Sequence, residues 1–251
     1  MALSNQSLFL YGYVIDANNQ NISFATSGAE VPPSTRTAVI PAGEYSLGTL
    51  CYAIAAALEA ADPLHTYSCT ADRSVAGGTQ NRVTISTTNT YFGVYFSSGN
   101  VNNPAMLLGF YVNDYTGATS YTGYTTSGTV LIPNMIGYSY LPTTALKKTT
   151  ASQNQSASGV KETIVFNQLL FWQVQFKYIP SSLLSAWENL VLWLTAQNAV
   201  DFTPDITQPN TFYSGTLEDP NQGMALDMDE MLPEFPNIYQ TPLMRFRIYV
   251  E

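Results

Sequence analysis

The chain has 251 residues and a formal net charge of -9, from eighteen Asp and Glu against nine Lys and Arg. Only 11% of its residues are charged, where an average soluble domain carries about 25%, and 45% are apolar. These proportions exclude a globally disordered chain, and the acidic balance excludes the basic footprint that tight DNA binding requires.

A surface so poor in charge must be covered largely by Ser, Thr, Asn, Gln, Gly and Tyr. Seventeen Tyr and twelve Phe supply broad contact surfaces, Tyr being favoured where one end of the side chain is dry and the other wet. That composition suits a subunit covered by partners, a secreted binding module or a glycan-facing fibre better than a lone cytosolic enzyme. No run of eighteen or more apolar residues suggests a membrane span. The start, MALSNQSLFLYGYVID, lacks the basic region and long apolar run of a signal peptide.

Along the chain, FLYGYVIDANNQNISFA predicts two short strands around a turn at Asn18-Asn19. Tyr11, Tyr13 and Ile15 alternate, and Ile22 and Phe24 restart the alternation. The segment 46–61 predicts a helix capped by Ser46 and ended by Asp62-Pro63. Leu47, Leu50, Ile54 and Leu58 form its apolar stripe, and Cys51 is placed in the core. Strands follow around Tyr67–Thr70 and Arg82–Ser86, flanking a turn at Gly77-Gly78, and again over Tyr91–Phe96. Residues 104–110 predict a short helical turn or a bend, and the Tyr- and Thr-rich stretch 111–130 reads either as strands or as a long surface loop.

Residues 147–160, KKTTASQNQSASGV, read as an exposed loop or linker between an N-terminal lobe (1–146) and a C-terminal lobe (161–251). A long loop within one domain is the alternative. The C-terminal lobe opens with a strand alternating through Trp172, Val174, Phe176 and Tyr178. After Pro180 a helix predicted to about Asn198 carries a stripe of Leu183, Trp187, Leu190, Val191 and Leu194. Leu184, Leu192 and Trp193 fall outside that stripe, and Glu188 is the helix's only charge, so these three residues are candidates for contact with a neighbour. The chain ends on a strand, Leu243–Val250, either held in a sheet or donated to a neighbour.

Candidate chemistry is sparse. The single histidine, His65, has only Asp62 and Asp72 near it in sequence, and no G-x-S-x-G elbow recommends a nucleophile. Carboxylates cluster at Asp227, Asp229, Glu230 and Glu234 and at Asp201 and Asp205, with no spacing that selects an acid and a base or a calcium loop. No catalytic, cofactor-binding or metal residue is therefore assigned, and an enzyme is not expected. Tyr121 and Tyr124 are the candidates for stacking on sugar rings or on a neighbour.

Two regions carry a resemblance. A turn with Pro41, Gly43 and Tyr45, then a helix, two strands and a turn through Leu107, Leu108, Gly109 and Phe110, resembles a pattern common in virus and phage structural proteins. The second region runs from the helix of the C-terminal lobe through Phe202, Pro204, Asp205, Phe212 and Tyr213 to the closing R-F-R strand. It looks like tail-tube, hub and distal-tail proteins of tailed phages. The resemblance implies a mainly β fold with flanking helices, a β-sandwich or barrel core with a helix packed on it. It also implies a homo-oligomeric ring in the virion tail, assembled in the host cytoplasm beside other tail or connector proteins, past which DNA passes without being held. A receptor- or glycan-binding module at the tail tip is the alternative.

Overall fold

A computed structural model describes residues 11–32, 34–72, 81–130, 139–140, 146–155, 161–176, 179–202, 210, 213–218, 229–230, 237–241 and 244–249. The order begins with β1 (Tyr11–Ile15), β2 (Asn21–Ala25), β3 (Arg36–Val39), β4 (Gly43–Tyr45) and α1 (Leu47–Ala61). It continues through β5 (Tyr67–Asp72), β6 (Arg82–Thr87), β7 (Phe92–Tyr95), β8 (Asp114–Ala118), β9 (Ser120–Thr125), β10 (Thr129–Val130) and β11 (Ser139–Tyr140). Next come β12 (Leu146–Gln155), β13 (Lys161–Phe176), β14 (Ile179–Pro180), a 3-10 turn (Ser181–Leu183) and α2 (Leu184–Thr195). The chain closes with β15 (Val200–Phe202), β16 (Tyr213–Leu217), β17 (Asp229–Glu230), β18 (Ile238–Gln240) and β19 (Met244–Tyr249). The fold is mainly β with two α-helices, and among the described residues no sheet closes into a barrel.

In the first half, the sheets β3-β2-β7-β8, β5-β6-β9 and β10-β1-β4 share one core with α1. The helix starts where a capping box fixes it. Ser46 Oγ accepts the Thr49 N–H, and Thr49 Oγ1 accepts the Ser46 N–H at 3.0 Å, satisfying two donors that a bare helix end would strand. Its predicted stripe of Leu47, Leu50, Ile54 and Leu58 is buried against Ile22, Phe24, Val83, Ile85, Phe92 and Phe96. Edge-to-face packing of Phe24 on Tyr67, with centroids 5.6 Å apart, adds aromatic contact to that burial.

The two strands expected around Asn18-Asn19 are present, each paired elsewhere: β1 with β4 and β10, β2 with β3 and β7. Of the two readings open for 111–130 the strands are found, β8 and β9 each being paired into a sheet. One local expectation is corrected. The stretch expected as an exposed loop at 147–160 is a strand over Leu146–Gln155, paired antiparallel with β13. It shows no alternation because it has no single apolar face, and its strand state comes from its partner. The Gly77-Gly78 turn lies outside the described residues.

In the second half, β13, β19, β16 and β15 lie side by side in one sheet, with β11 also paired to β13. Strand β19 is thus held within the sheet, between β13 and β16, with Met244, Phe246 and Ile248 buried. These residues form a second core with Val200, Leu217 and, from α2, Trp187, Leu190, Trp193 and Leu194. The helix begins from the 3-10 turn without a side-chain cap.

The two cores meet through specific contacts. The buried Asp201 carboxylate accepts the Gly48 N–H at 3.0 Å and the Ser214 hydroxyl at 2.7 Å. Gly48 lies in the first turn of α1, so the carboxylate meets a stranded helix N–H and the positive end of the helix dipole. Asn198 hydrogen-bonds Glu44, and the Trp193 ring lies over Gly12 of β1.

Candidate interaction surfaces

The most distinctive feature is the ribbon built by β12 and β13. Their register runs from Leu146↔Phe171 to Gln155↔Lys161, with a bulge between Thr150 and Ala151. Strand β19 pairs only with Leu170–Val174 of β13. Among the described residues, β13 therefore has β12 as its sole partner from Lys161 to Leu169, and β12 has no partner except β13. Nine residues at about 3.3 Å each make a two-stranded arm roughly 30 Å long. Among the described residues no other strand pairs with either of its long edges, whose main-chain N–H and C=O groups can take up another strand. From Thr149 to Gln155 the sequence TTASQNQ places no charge on the outer edge, although charge is a common device for blocking such pairing.

The candidates on α2 separate into different environments. Leu192 is 68% exposed and available to a neighbour, and Leu184 is half-buried. Trp193 corrects the expectation: it is only 8% exposed, and its Nε1 donates to the Ala199 carbonyl at 3.1 Å. A Cβ added to Gly12 would fall 2.7 Å from Trp193 Cη2, so the indole is spent on joining the two cores. The buried face of α2 is wider than the predicted stripe because β1 covers its flank.

The two tyrosines also diverge. The Tyr121 ring packs on Phe92 and Tyr115, with centroids 5.8 and 5.6 Å away. Its hydroxyl donates to the Phe92 carbonyl at 2.7 Å and accepts the Ala118 N–H at 3.1 Å. Burial pushes that hydroxyl's pKa up. Tyr121 is thus half-buried and engaged within the chain, which corrects its candidacy as an exposed stacking residue. Tyr124 is 58% exposed and pairs with Tyr111, 59% exposed, at a centroid distance of 4.9 Å and an interplanar angle of 59°. Tyr111 was not singled out for stacking because its ring partner lies on another element. Gly109 holds the two segments together: its φ is +78°, and Tyr124 N donates to its carbonyl at 2.6 Å.

The titratable groups near His65 form a structural network. The fully buried Asp62 caps α1 and receives hydrogen bonds from Arg36 Nη1 at 2.8 Å and Tyr67 Oη at 2.7 Å. His65 Nδ1 lies 2.6 Å from Asp62 Oδ2. Burial pushes the Asp62 carboxyl up, but the bonds from Tyr67 and His65 and the charges of Arg36 and His65 outweigh it and hold the pKa below the ordinary value. In turn, burial and the Asp62 carboxylate push the Tyr67 hydroxyl far above its usual range. These contacts fasten β3 and β5 to the end of α1.

Of the carboxylate clusters, Asp201 serves the α1 contact, whereas Asp205, Asp227 and Glu234 lie outside the described residues. No group of three or more His, Cys, Asp or Glu able to hold a metal ion occurs among the described residues. No helix among them is long and apolar enough to cross a membrane. No protein-family profile matches the chain, and neither does any curated protein sequence.

Proposed function

We propose that this chain is a structural subunit of a tailed-phage virion, part of a tail or hub ring that assembles with copies of itself and with neighbouring tail or connector proteins. The observation that carries the reading is the β12–β13 arm. A two-stranded ribbon is marginal in water by itself, and an uncharged strand edge is a template for pairing with another chain. An arm of this kind suits a subunit whose sheet is completed by a neighbour. Sparse surface charge and the exposed Leu192 favour the same reading, and the resemblance of the C-terminal region to tail-tube, hub and distal-tail proteins favours the tail. A net charge of -9 would suit a wall that DNA slides past without being held.

The test is to shorten the arm at the paired positions Thr149 and Gln168, joining them through Asn-Gly. Light scattering and negative-stain images of the full chain should show a closed ring or tube. The shortened chain should keep its circular dichroism and melting behaviour yet stay monomeric. A shortened chain that assembles as before would remove the arm from the argument. A full chain that stays monomeric with its partner proteins present would overturn the structural reading.

A second reading, a receptor- or glycan-binding module at the tail tip, rests on the exposed Tyr111–Tyr124 pair. Two angled rings can stack on a sugar face while their hydroxyls stay wet. That reading requires the Tyr111→Ala, Tyr124→Ala double variant to lose binding to host-surface polysaccharide with assembly intact.

A further inference from the structure

Cys51 lies near the middle of α1 and Cys69 near the middle of β5. Both belong to the same hydrophobic core. Both also line one cavity of about 500 Å³, whose wall includes Tyr52, Glu59 and Thr70. Cys51 is buried, Cys69 is partly exposed, both are free thiols, and they sit near enough for the Cys51 thiol to act on Cys69. Helix α1 and strand β5 are consecutive elements joined by a short turn, so a bond between them would cross-link the helix to the strand beneath it.

We propose that Cys51 and Cys69 form a latent intrachain staple, which stays a dithiol under reducing conditions and closes to a disulfide when the folded chain meets an oxidising low-molecular-weight disulfide such as oxidised glutathione. The step balances as thiol–disulfide exchange. The Cys69 thiolate, reached through the cavity, attacks one sulfur of oxidised glutathione and expels a glutathione thiolate. The Cys51 thiolate then attacks Cys69 Sγ in the mixed disulfide and expels the second. The two cysteines lose two electrons and two protons, the glutathione disulfide gains the electrons, and both protons end on released glutathione.

The contacts also make the staple slow. The hydrogen bond from Cys51, burial and repulsion from a neighbouring thiolate all push the Cys69 thiol well above its ordinary pKa, and only the thiolate attacks. Closure should accelerate as pH rises from 7 to 9. The proposal does not depend on the virion reading.

The experiment incubates the purified, reduced full chain with oxidised glutathione and counts thiols with Ellman's reagent after denaturation. The titre should fall from the two cysteines of the sequence to none. The intact mass should drop by the roughly 2 Da of two hydrogens, and a tryptic digest should yield Cys51 and Cys69 in one cross-linked species. Closing a loop of this size should raise Tm by about 5–10 °C over the reduced chain. Cys69→Ser, its fold checked by circular dichroism, tests the same point and should abolish both the Tm rise and the cross-link. Two thiols still titrating in the folded, oxidised chain would overturn the proposal. So would stable glutathione adducts on both cysteines, or a cross-link that joins two chains.

Discussion

Replacing Trp193 should act as a folding mutation, whereas replacing Leu192 beside it should not. Trp193 is 8% exposed, fills the space over Gly12 and hydrogen-bonds the Ala199 carbonyl. Truncating a buried Trp to Ala costs about 3–5 kcal/mol, a large part of the roughly 5–15 kcal/mol that holds a domain of ordinary stability together. In a chain of this size that is a fall in Tm of about 6–20 °C. Leu192, 68% exposed, should tolerate Asp to within about 0.5 kcal/mol. Urea unfolding followed by far-UV circular dichroism measures both without relying on the fluorescence of the altered residue. The contact itself is isolated by a double-mutant cycle. Gly12→Ala puts a Cβ 2.7 Å from Trp193 Cη2, which should cost about 1–3 kcal/mol by overpacking in the native chain and much less in the Trp193→Ala background. Strict additivity of the two substitutions, or a Trp193→Ala variant that loses less than about 1 kcal/mol, would refute the placement of the indole between the cores.

Two further predictions concern the first core. Asp62→Asn should destabilise by about 1–3 kcal/mol at pH 6, because Arg36 and the buried Tyr67 hydroxyl lose a charged acceptor. The native Asp62 carboxyl titrates below its unfolded value of about 3.9, so its contribution is present above that pH. It is lost as the pH falls through the folded value. The Tm difference between native and Asp62→Asn chains should therefore narrow as the pH falls below about 4; a gap that widens over that range would contradict the assignment. Gly109→Ala should cost about 1–3 kcal/mol, since φ is +78° and the new Cβ would lie 2.5 Å from the Tyr124 carbonyl oxygen. A thermal melt unchanged within a degree would refute the close approach.

What the sequence disclosed follows the distance between the cause and the residue. Helix α1 was legible because its cap, stripe and stop all lie within seventeen residues of chain, Ser46 to Asp62. Strand β19 was legible by alternation alone. Trp193 was not, because the group that buries it belongs to β1, and the clue is the missing side chain at Gly12. The tyrosines failed for a different reason. Positions three apart on a strand point to opposite faces, so Tyr121 and Tyr124 could not have served one surface once β9 was recognised as a strand.

The arm is the most instructive of these cases. Residues 149–155 offer a helix no stripe and a half-buried strand no alternation, and by local criteria they are a linker. They form a strand because β13, with its denser run of β-branched and aromatic residues, supplies a complete ladder of partners. A polar strand gains little from apolar burial, so its stability rests on its hydrogen-bonded neighbours, and here it has one such neighbour among the described residues. A second strand on either open edge would supply further main-chain bonds and shield those already formed. The polarity that hides this segment from a sequence reading also leaves Thr149 to Gln155 without a charge to oppose pairing. On the proposed reading, introducing Lys in place of Ala151 and Gln153 should suppress assembly without lowering the Tm of the chain itself, and assembly that proceeds unchanged would remove this edge from the interface.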